Sequence, residues 1–220
     1  MQAVVPARAK VSYYVRSPKR DVLKAIAEWV DQAAEGAAMG TQTKVEKEIV
    51  SGFYEKLDNR HLSELIQKKL EIVGGVKYDE RERAFAEEII KGIKQDINDL
   101  RQVTEVLPLA DENLATWSGS TDVGDVSWVV PTTTFRTAVF VPGTSLHSWQ
   151  NVAVGGTTIG TKALLNAAKV FSLTAIDLFQ NPKTVQAIKD EFEQKRGKDF
   201  QYNPLLGDRK PALDYRLTGK

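Results

Sequence analysis

The chain has 220 residues, of which 42% are hydrophobic and 27% charged, and 30 basic and 29 acidic side chains give a formal net charge of +1. This balance argues against a dedicated nucleic-acid binder, for which a basic stripe is typical, and the lack of cysteine excludes a disulfide framework. No apolar run approaches the roughly 20 residues of a membrane helix, and residues 1–15 lack the pattern of a secretory signal. We therefore expect a cytoplasmic protein with no nucleic-acid or membrane partner.

The beginning of the chain has the pattern of a β-α-β unit. Apolar and polar residues alternate over residues 9–15 and again over residues 43–50, which predicts two half-buried strands. Between them, Ser17 and Pro18 predict the N-cap and the first position of a helix that ends at Gly40. A two-stranded sheet under one helix is marginally stable alone, so we expect other parts to complete it.

Helical signals dominate the middle of the chain, after a boundary at residues 57–59. Asn59 predicts the N-cap of a helix that stops at Gly74. Asp79 and Glu82 have the spacing of a capping box at the start of a longer helix. Its apolar residues recur every three or four positions and predict packing along one side only: Phe85, Ile89, Ile93, Ile97 and Leu100.

The last hundred residues predict one buried strand and two helices. Residues 133–141 carry little polar surface, which is typical of a central strand, and residues 142–156 then predict a loop. Residues 161–179 predict a helix that is apolar almost all round and therefore buried in a larger body. Asn181 and Pro182 predict the start of the last helix, and Gly197 predicts its end.

The most informative candidate for chemistry is His147, which lies among small residues at positions 143–149. An imidazole at the end of a buried strand is well placed to bind a metal ion or move protons. The alternative is a structural or surface histidine, and a surface position is our interpretation of the other histidine, His61. Because the chain has two histidines and no cysteine, a metal site would need several carboxylates or a partner chain.

Three further features have both a functional and a structural interpretation. The polar loop at residues 119–125 either faces a substrate or forms turns, and its candidate side chains are Ser120, Thr121, Asp122 and Asp125. Arg16 either grips a substrate carboxylate or is solvated. The glycines at residues 155–160 could hold an anion at a helix N-terminus, although a simple flexible start of the helix is favoured and no Walker loop is present.

Four motifs together resemble a known family. They lie at residues 4–6, 13–18, 119–128 and 143–150, and two are specific: Gly-Ser-Thr-Asp-Val-Gly-Asp and Gly-Thr-x-x-His-x-Trp. In this order they are similar to the p-aminobenzoyl-glutamate hydrolase-like amidohydrolases, which are dinuclear-zinc peptidases related to aminoacylase and carboxypeptidase G. The resemblance implies an α/β fold: residues 1–56 as the second half of a ferredoxin-like lid and dimerisation domain, and residues 57–220 as the C-terminal part of the catalytic domain.

The resemblance also implies the chemistry. Family enzymes hold two zinc ions that polarise an amide carbonyl while a glutamate activates water, and the substrate is an N-acyl amino acid or p-aminobenzoyl-glutamate-like amide. His147 maps onto the last zinc ligand. Ser120, Thr121 and Asp122 map onto a loop that lines the site, and Arg16 is kept as a further candidate for substrate binding.

One departure from the family limits the expected activity. The family's His-x-Asp pair is absent, and Glu87-Glu88 lies in a charged helical segment, so it cannot stand for the family's Glu-Glu pair. One imidazole cannot hold two zinc ions. We therefore expect a truncated or split enzyme that is inactive alone and needs its N-terminal half or another subunit; the alternative is a non-catalytic binding or oligomerisation module. Uncovered strand edges and apolar patches pair with other chains, so we expect a homo-oligomer.

Overall fold

The computed structural model describes residues 6–93, 100–110, 119, 121–211 and 213. Residues 4 and 5 of the first motif, Ile97 and Ser120 lie outside these ranges. The helices of the described residues, in chain order, are α1 (Arg20–Thr41), α2 (Arg60–Val73), α3 (Glu80–Lys91), a 3-10 turn (Leu100–Val103), α4 (Val123–Ser127), α5 (Trp149–Gly155), α6 (Thr158–Gln180) and α7 (Pro182–Arg196). None of them has both the length and the apolar character needed to span a bilayer.

The described residues are mostly helical, and the predicted strands at residues 9–15, 43–50 and 133–141 are wrong. A strand exists only through hydrogen bonds to a neighbouring strand, and within the described ranges the β-pairing is a single parallel bridge between Asp58 and Thr132. Without a sheet, the alternating apolar side chains stay in solvent: Val11 is 68% exposed and Tyr13 is 70% exposed. The zinc-peptidase α/β fold therefore remains a prediction.

Local capping signals place several helix ends where the sequence predicts them. The Asn59 side chain accepts a hydrogen bond from the Leu62 N–H at 2.9 Å and caps α2. The capping box of α3 is complete, with the Glu82 N–H donating to Asp79 at 2.9 Å and the Asp79 N–H donating to Glu82 at 2.8 Å. Gly197 ends α7 with a φ of +87°. The capping bonds of α2 and α3 join residues that are three positions apart, so they form wherever the helix forms.

The start of α1 differs from the prediction. The N-cap is Lys19 and not Ser17, and Lys19 makes no side-chain capping bond. The Ser17 hydroxyl instead accepts a hydrogen bond from the Lys19 N–H at 3.2 Å, which forms a turn before the helix. At the other end α1 runs past Gly40 and stops at Gln42, whose φ of +55° is left-handed.

The chain divides into two compact units. Unit one comprises Met1–Lys56, Thr121–Asp125 and Tyr202–Lys220, and unit two comprises Leu57–Ser120 and Val126–Gln201. The assignment of residues 1–56 to a lid and of residues 57–220 to a catalytic domain stays a prediction.

In unit one, the Asp125 carboxylate ties distant segments together. It accepts hydrogen bonds from the Tyr54 N–H at 3.2 Å and from the Tyr202 hydroxyl at 2.8 Å. The two tyrosine rings lie 5.2 Å apart, and burial, followed by the bond to Asp125, raises the pKa of Tyr202 to about 12. Gly124 allows this close approach because a Cβ there would lie 2.0 Å from the Tyr54 carbonyl oxygen.

In unit two, α6 packs against α2, α5 and α7, but it is not buried all round as predicted. One side is fully buried at Ile159, Ala163 and Val170. The opposite side is exposed and still apolar, as shown by Leu164, Leu165, Phe171, Ile176 and Phe179, with Phe179 89% exposed. An apolar composition predicted burial on all sides, whereas the neighbours present among the described residues cover one side only.

A buried carboxylate of α7 joins this helix to the start of α2. Glu191 is 9% exposed and accepts hydrogen bonds from the N–H groups of Arg60 at 2.6 Å and His61 at 2.8 Å. His61 Nδ1 lies 2.6 Å and Lys195 Nζ lies 2.8 Å from the same carboxylate. Burial by itself would raise the pKa of Glu191, but these hydrogen bonds lower it to about 2. The side chain of His61 is therefore partly exposed, at 54%, while its backbone N–H and Nδ1 contact Glu191 and join α2 to α7.

Candidate functional site

The loop around His147 has a backbone that few side chains adopt. His147 is exposed and has a φ of +61°, and Gly143 in the same loop has a φ of +81°. Glycine tolerates this left-handed region, but a residue with a Cβ is strained there by about 1 kcal/mol or more. Strained residues of this kind concentrate at ligand-binding and catalytic sites, and the role of His147 as a metal ligand remains a prediction.

Buried residues hold both sides of the loop. On the N-terminal side, the Thr144 hydroxyl donates to the carbonyl oxygen of Val141 at 2.8 Å, and Val141 is 1% exposed. On the C-terminal side, Asn151 Nδ2 donates to the Ser145 carbonyl oxygen at 2.8 Å, and Asn151 is 7% exposed. The imidazole of His147 is therefore presented to solvent from an anchored backbone, as a metal ligand or proton carrier requires.

The C-terminal anchor is a helix and not the loop that the sequence predicts. The sequence predicts a loop over residues 142–156, but Trp149–Gly155 form α5. Its signal was Ser148, whose hydroxyl accepts a hydrogen bond from the Asn151 N–H at 3.4 Å as an N-cap. The fully buried Val154 fixes the other end of this short helix in the core formed with Ala86, Ile89, Val141 and Ile159.

Of the other predicted site residues, Arg16, Thr121 and Asp122 lie in unit one, and Ser120 lies outside the described residues. Thr121 Oγ1 accepts a hydrogen bond from the Val123 N–H at 3.3 Å at the start of α4, and Asp122 is exposed beside it. Arg16 is also exposed, with its guanidinium 5.7 Å from the centroid of the Tyr14 ring. His147 lies in unit two, so neither unit contains the whole predicted set. The substrate-binding roles of Arg16, Ser120, Thr121 and Asp122 remain predictions.

The described residues do not by themselves fit a zinc centre. In the ranges that the structure covers, no group of three or more histidine, cysteine, aspartate or glutamate side chains could hold a metal ion, and a catalytic zinc takes three protein ligands. Glu87 and Glu88 are exposed on α3, and Glu88 pairs with Lys91 at 2.5 Å. That they do not stand for the family's Glu-Glu pair remains a prediction.

A carboxylate of the protein, that of Glu82, already binds side chains at the N-terminus of α6. Glu82 accepts a hydrogen bond from the Thr158 hydroxyl at 2.6 Å and from Lys162 Nζ at 2.5 Å. Burial would raise the pKa of Glu82, but these bonds lower it below its ordinary value. The glycines at residues 155–160 allow close packing at the start of α6 instead, since a Cβ on Gly160 would lie 2.3 Å from the Gly155 carbonyl oxygen. The structural interpretation of this segment is therefore favoured over an anion site.

Comparison with known proteins relates the chain to amidohydrolases and peptidases. It is 33% identical over 216 residues to a subunit of p-aminobenzoyl-glutamate hydrolase from Escherichia coli (strain K12), which confirms the resemblance of the sequence motifs to this family. It is also 24% identical to Xaa-Arg dipeptidase of Mus musculus and to the Homo sapiens protein of the same name.

These matches cover most of this chain but a minor part of each relative. Each alignment includes 87% of the chain and 44%, 38% and 37% of the respective relatives, so the chain spans less than half of their length. No family model matches the chain. No solved structure matches it either.

Proposed function

We propose that this chain is part of an amidohydrolase that cleaves an N-acyl amino acid or a p-aminobenzoyl-glutamate-like amide. The observation that carries the proposal is His147, an exposed imidazole on an anchored, left-handed backbone within the family's Gly-Thr-x-x-His-x-Trp motif. The identity of 33% to the p-aminobenzoyl-glutamate hydrolase relative supports the reaction class. Peptide and acyl-amino-acid bonds are the same chemical class, which agrees with the match to two dipeptidases.

In this proposal the chain contributes a ligand and substrate contacts but not a complete catalytic centre. His147 supplies one zinc ligand, while Ser120, Thr121 and Asp122 line the substrate site and Arg16 pairs with the substrate carboxylate. The chain has no His-x-Asp sequence, and its described residues hold no group of metal ligands. We therefore expect the remaining zinc ligands to come from the N-terminal half of the enzyme or from another subunit, and we expect the chain alone to be inactive.

The partner is the other half of the enzyme or a separate polypeptide. The name of the Escherichia coli relative describes it as one subunit of a hydrolase, and the chain spans 44% of that relative. The exposed apolar side of α6 is a second support, because a surface of this kind is typical of an interface. The same exposed side favours the alternative, in which the chain is a non-catalytic oligomerisation module of this family.

A complementation assay tests the proposal. The purified chain, with zinc added, is assayed on p-aminobenzoyl-glutamate and on N-acyl amino acids, alone and after co-expression with the segment of the Escherichia coli relative that it does not span. We expect hydrolysis only with the complementing segment, and loss of that hydrolysis in His147→Ala. His61→Ala is the matched control because it removes the other histidine and should leave the turnover measurable.

The possible outcomes separate the two functions. Turnover by the chain alone that is lost in His147→Ala would contradict the expected inactivity but support the role of His147. Turnover with the complement that persists in His147→Ala would contradict that role. A stable oligomer with no turnover in any combination would support the oligomerisation module.

A further inference from the structure

Asn151 is a buried polar side chain that bridges the loop on which His147 lies. Its Nδ2 donates to the Ser145 carbonyl oxygen at 2.8 Å, and its own N–H donates to the Ser148 hydroxyl at 3.4 Å. One residue thus contacts the chain on both sides of His147. Its exposed fraction of 7% means that water competes little for these bonds, which strengthens them relative to surface contacts.

The bond to Ser145 is the main stabilising contribution that the Asn151 side chain can make. Its Oδ1 is buried and has no hydrogen-bond partner among the described residues. Burying an unsatisfied acceptor is unfavourable, and an apolar side chain of similar size would avoid that cost. Asparagine is therefore favoured at position 151 because its Nδ2 donates the hydrogen bond to Ser145, and not because of its Oδ1. The orientation of the amide is settled, because its oxygen would repel the carbonyl oxygen of Ser145.

This bond restrains the backbone two residues before His147. A residue with a Cβ leaves the left-handed region unless its surroundings hold it there. At His147 those surroundings are the N-cap Ser148 on one side and the Ser145 carbonyl, fixed by Asn151, on the other. We propose that Asn151 is a positioning residue, which holds His147 at its φ of +61° and so fixes where the imidazole is presented. Its relevance to catalysis rests on the function proposed above for His147.

Backbone dynamics of the metal-free chain test the inference without any activity. Order parameters from ¹⁵N relaxation are compared for the wild type, Asn151→Ala and Asn151→Leu, the last of which keeps the side-chain volume but has no donor. We expect values near 0.85 for residues 145–147 in the wild type and values below about 0.6 in both variants. The rest of α6 and α7 should keep its order in all of them.

Asn166→Ala is the matched control. Asn166 also donates its Nδ2 to backbone carbonyls, those of Gly74 and Gly75, both at 3.2 Å. If residues 145–147 become disordered through a general loss of stability, they should become disordered in Asn166→Ala as well. A positioning role of Asn151 instead predicts disorder at residues 145–147 in the Asn151 variants only. Unchanged order at these residues in Asn151→Leu would overturn the inference.

A measurement on the wild-type chain covers the case in which the variants do not fold. One side-chain amide proton of Asn151 should exchange slowly with water because it is buried and bonded to Ser145. Fast exchange of both protons would overturn the inference. Failure of the complementation assay together with slow exchange and an ordered loop would remove the catalytic role while leaving the positioning of His147 intact, so the two failures are distinguishable.

Discussion

Replacing Glu191 by glutamine is expected to destabilise unit two in a pH-dependent manner. The Glu191 carboxylate accepts hydrogen bonds from the backbone of Arg60 and His61 and pairs with Lys195. Glutamine has nearly the same shape, but it is uncharged, and its NH₂ group cannot accept. The substitution therefore removes charge-assisted bonds at the N-terminus of α2, where a negative charge is stabilising.

The magnitude follows from the pKa of Glu191. One pKa unit corresponds to about 1.4 kcal/mol, so lowering the pKa of Glu191 from its ordinary value of 4.5 to about 2 corresponds to about 3 kcal/mol. The side chain of His61 is 54% exposed and that of Lys195 is 31% exposed, and solvent at these groups screens the interaction. We therefore expect Glu191→Gln to lower the free energy of unfolding by about 2 kcal/mol at pH 7.

The sign of the pH dependence is fixed by the direction of the pKa change. Because the pKa of Glu191 is lower in the folded chain, its contribution is complete above about pH 4.5 and is lost as the pH falls towards 2. The wild type and Glu191→Gln should differ in urea denaturation at pH 7 and converge near pH 2. Glu193→Gln, an exposed position on the same helix, is the control and should unfold like the wild type at both pH values. A difference that persists unchanged near pH 2 would refute the reasoning.

Three further substitutions test other parts of the structure by thermal or urea unfolding. Gly124→Ala should destabilise unit one strongly, because its Cβ would lie 2.0 Å from the Tyr54 carbonyl oxygen; an unchanged midpoint would contradict that packing. Gly36→Ala, in α1 with nothing within 4 Å, should instead raise stability by about 0.5–1 kcal/mol, and any loss would count against a helix there. Glu82→Gln should cost about 1–3 kcal/mol, a loss that shrinks as the pH falls below the ordinary carboxyl pKa because the pKa of Glu82 is lowered. The same loss at low pH would contradict the role of its charge.

Several features of this protein follow from the sequence because they depend on neighbours within one helical turn. Asn59 and the pair Asp79 and Glu82 cap their helices as predicted, since each side chain bonds to a backbone group three residues away. The family motif also placed His147 in a loop of small residues, and the similarity of the chain to amidohydrolases agrees with it. Local bonds and local motifs of this kind need no knowledge of the rest of the fold.

Other features were decided only by tertiary structure. The predicted strand at residues 43–50 forms no sheet because pairing requires a neighbour that an alternating pattern cannot specify. Glu191 contacts His61 across 130 positions of sequence, and no periodicity indicates such a bond. At the candidate site, the sequence placed His147, whereas its left-handed backbone and the buried anchor Asn151 depend on the packing of α5. A residue's chemistry is local, but its orientation is set by whatever packs against its backbone.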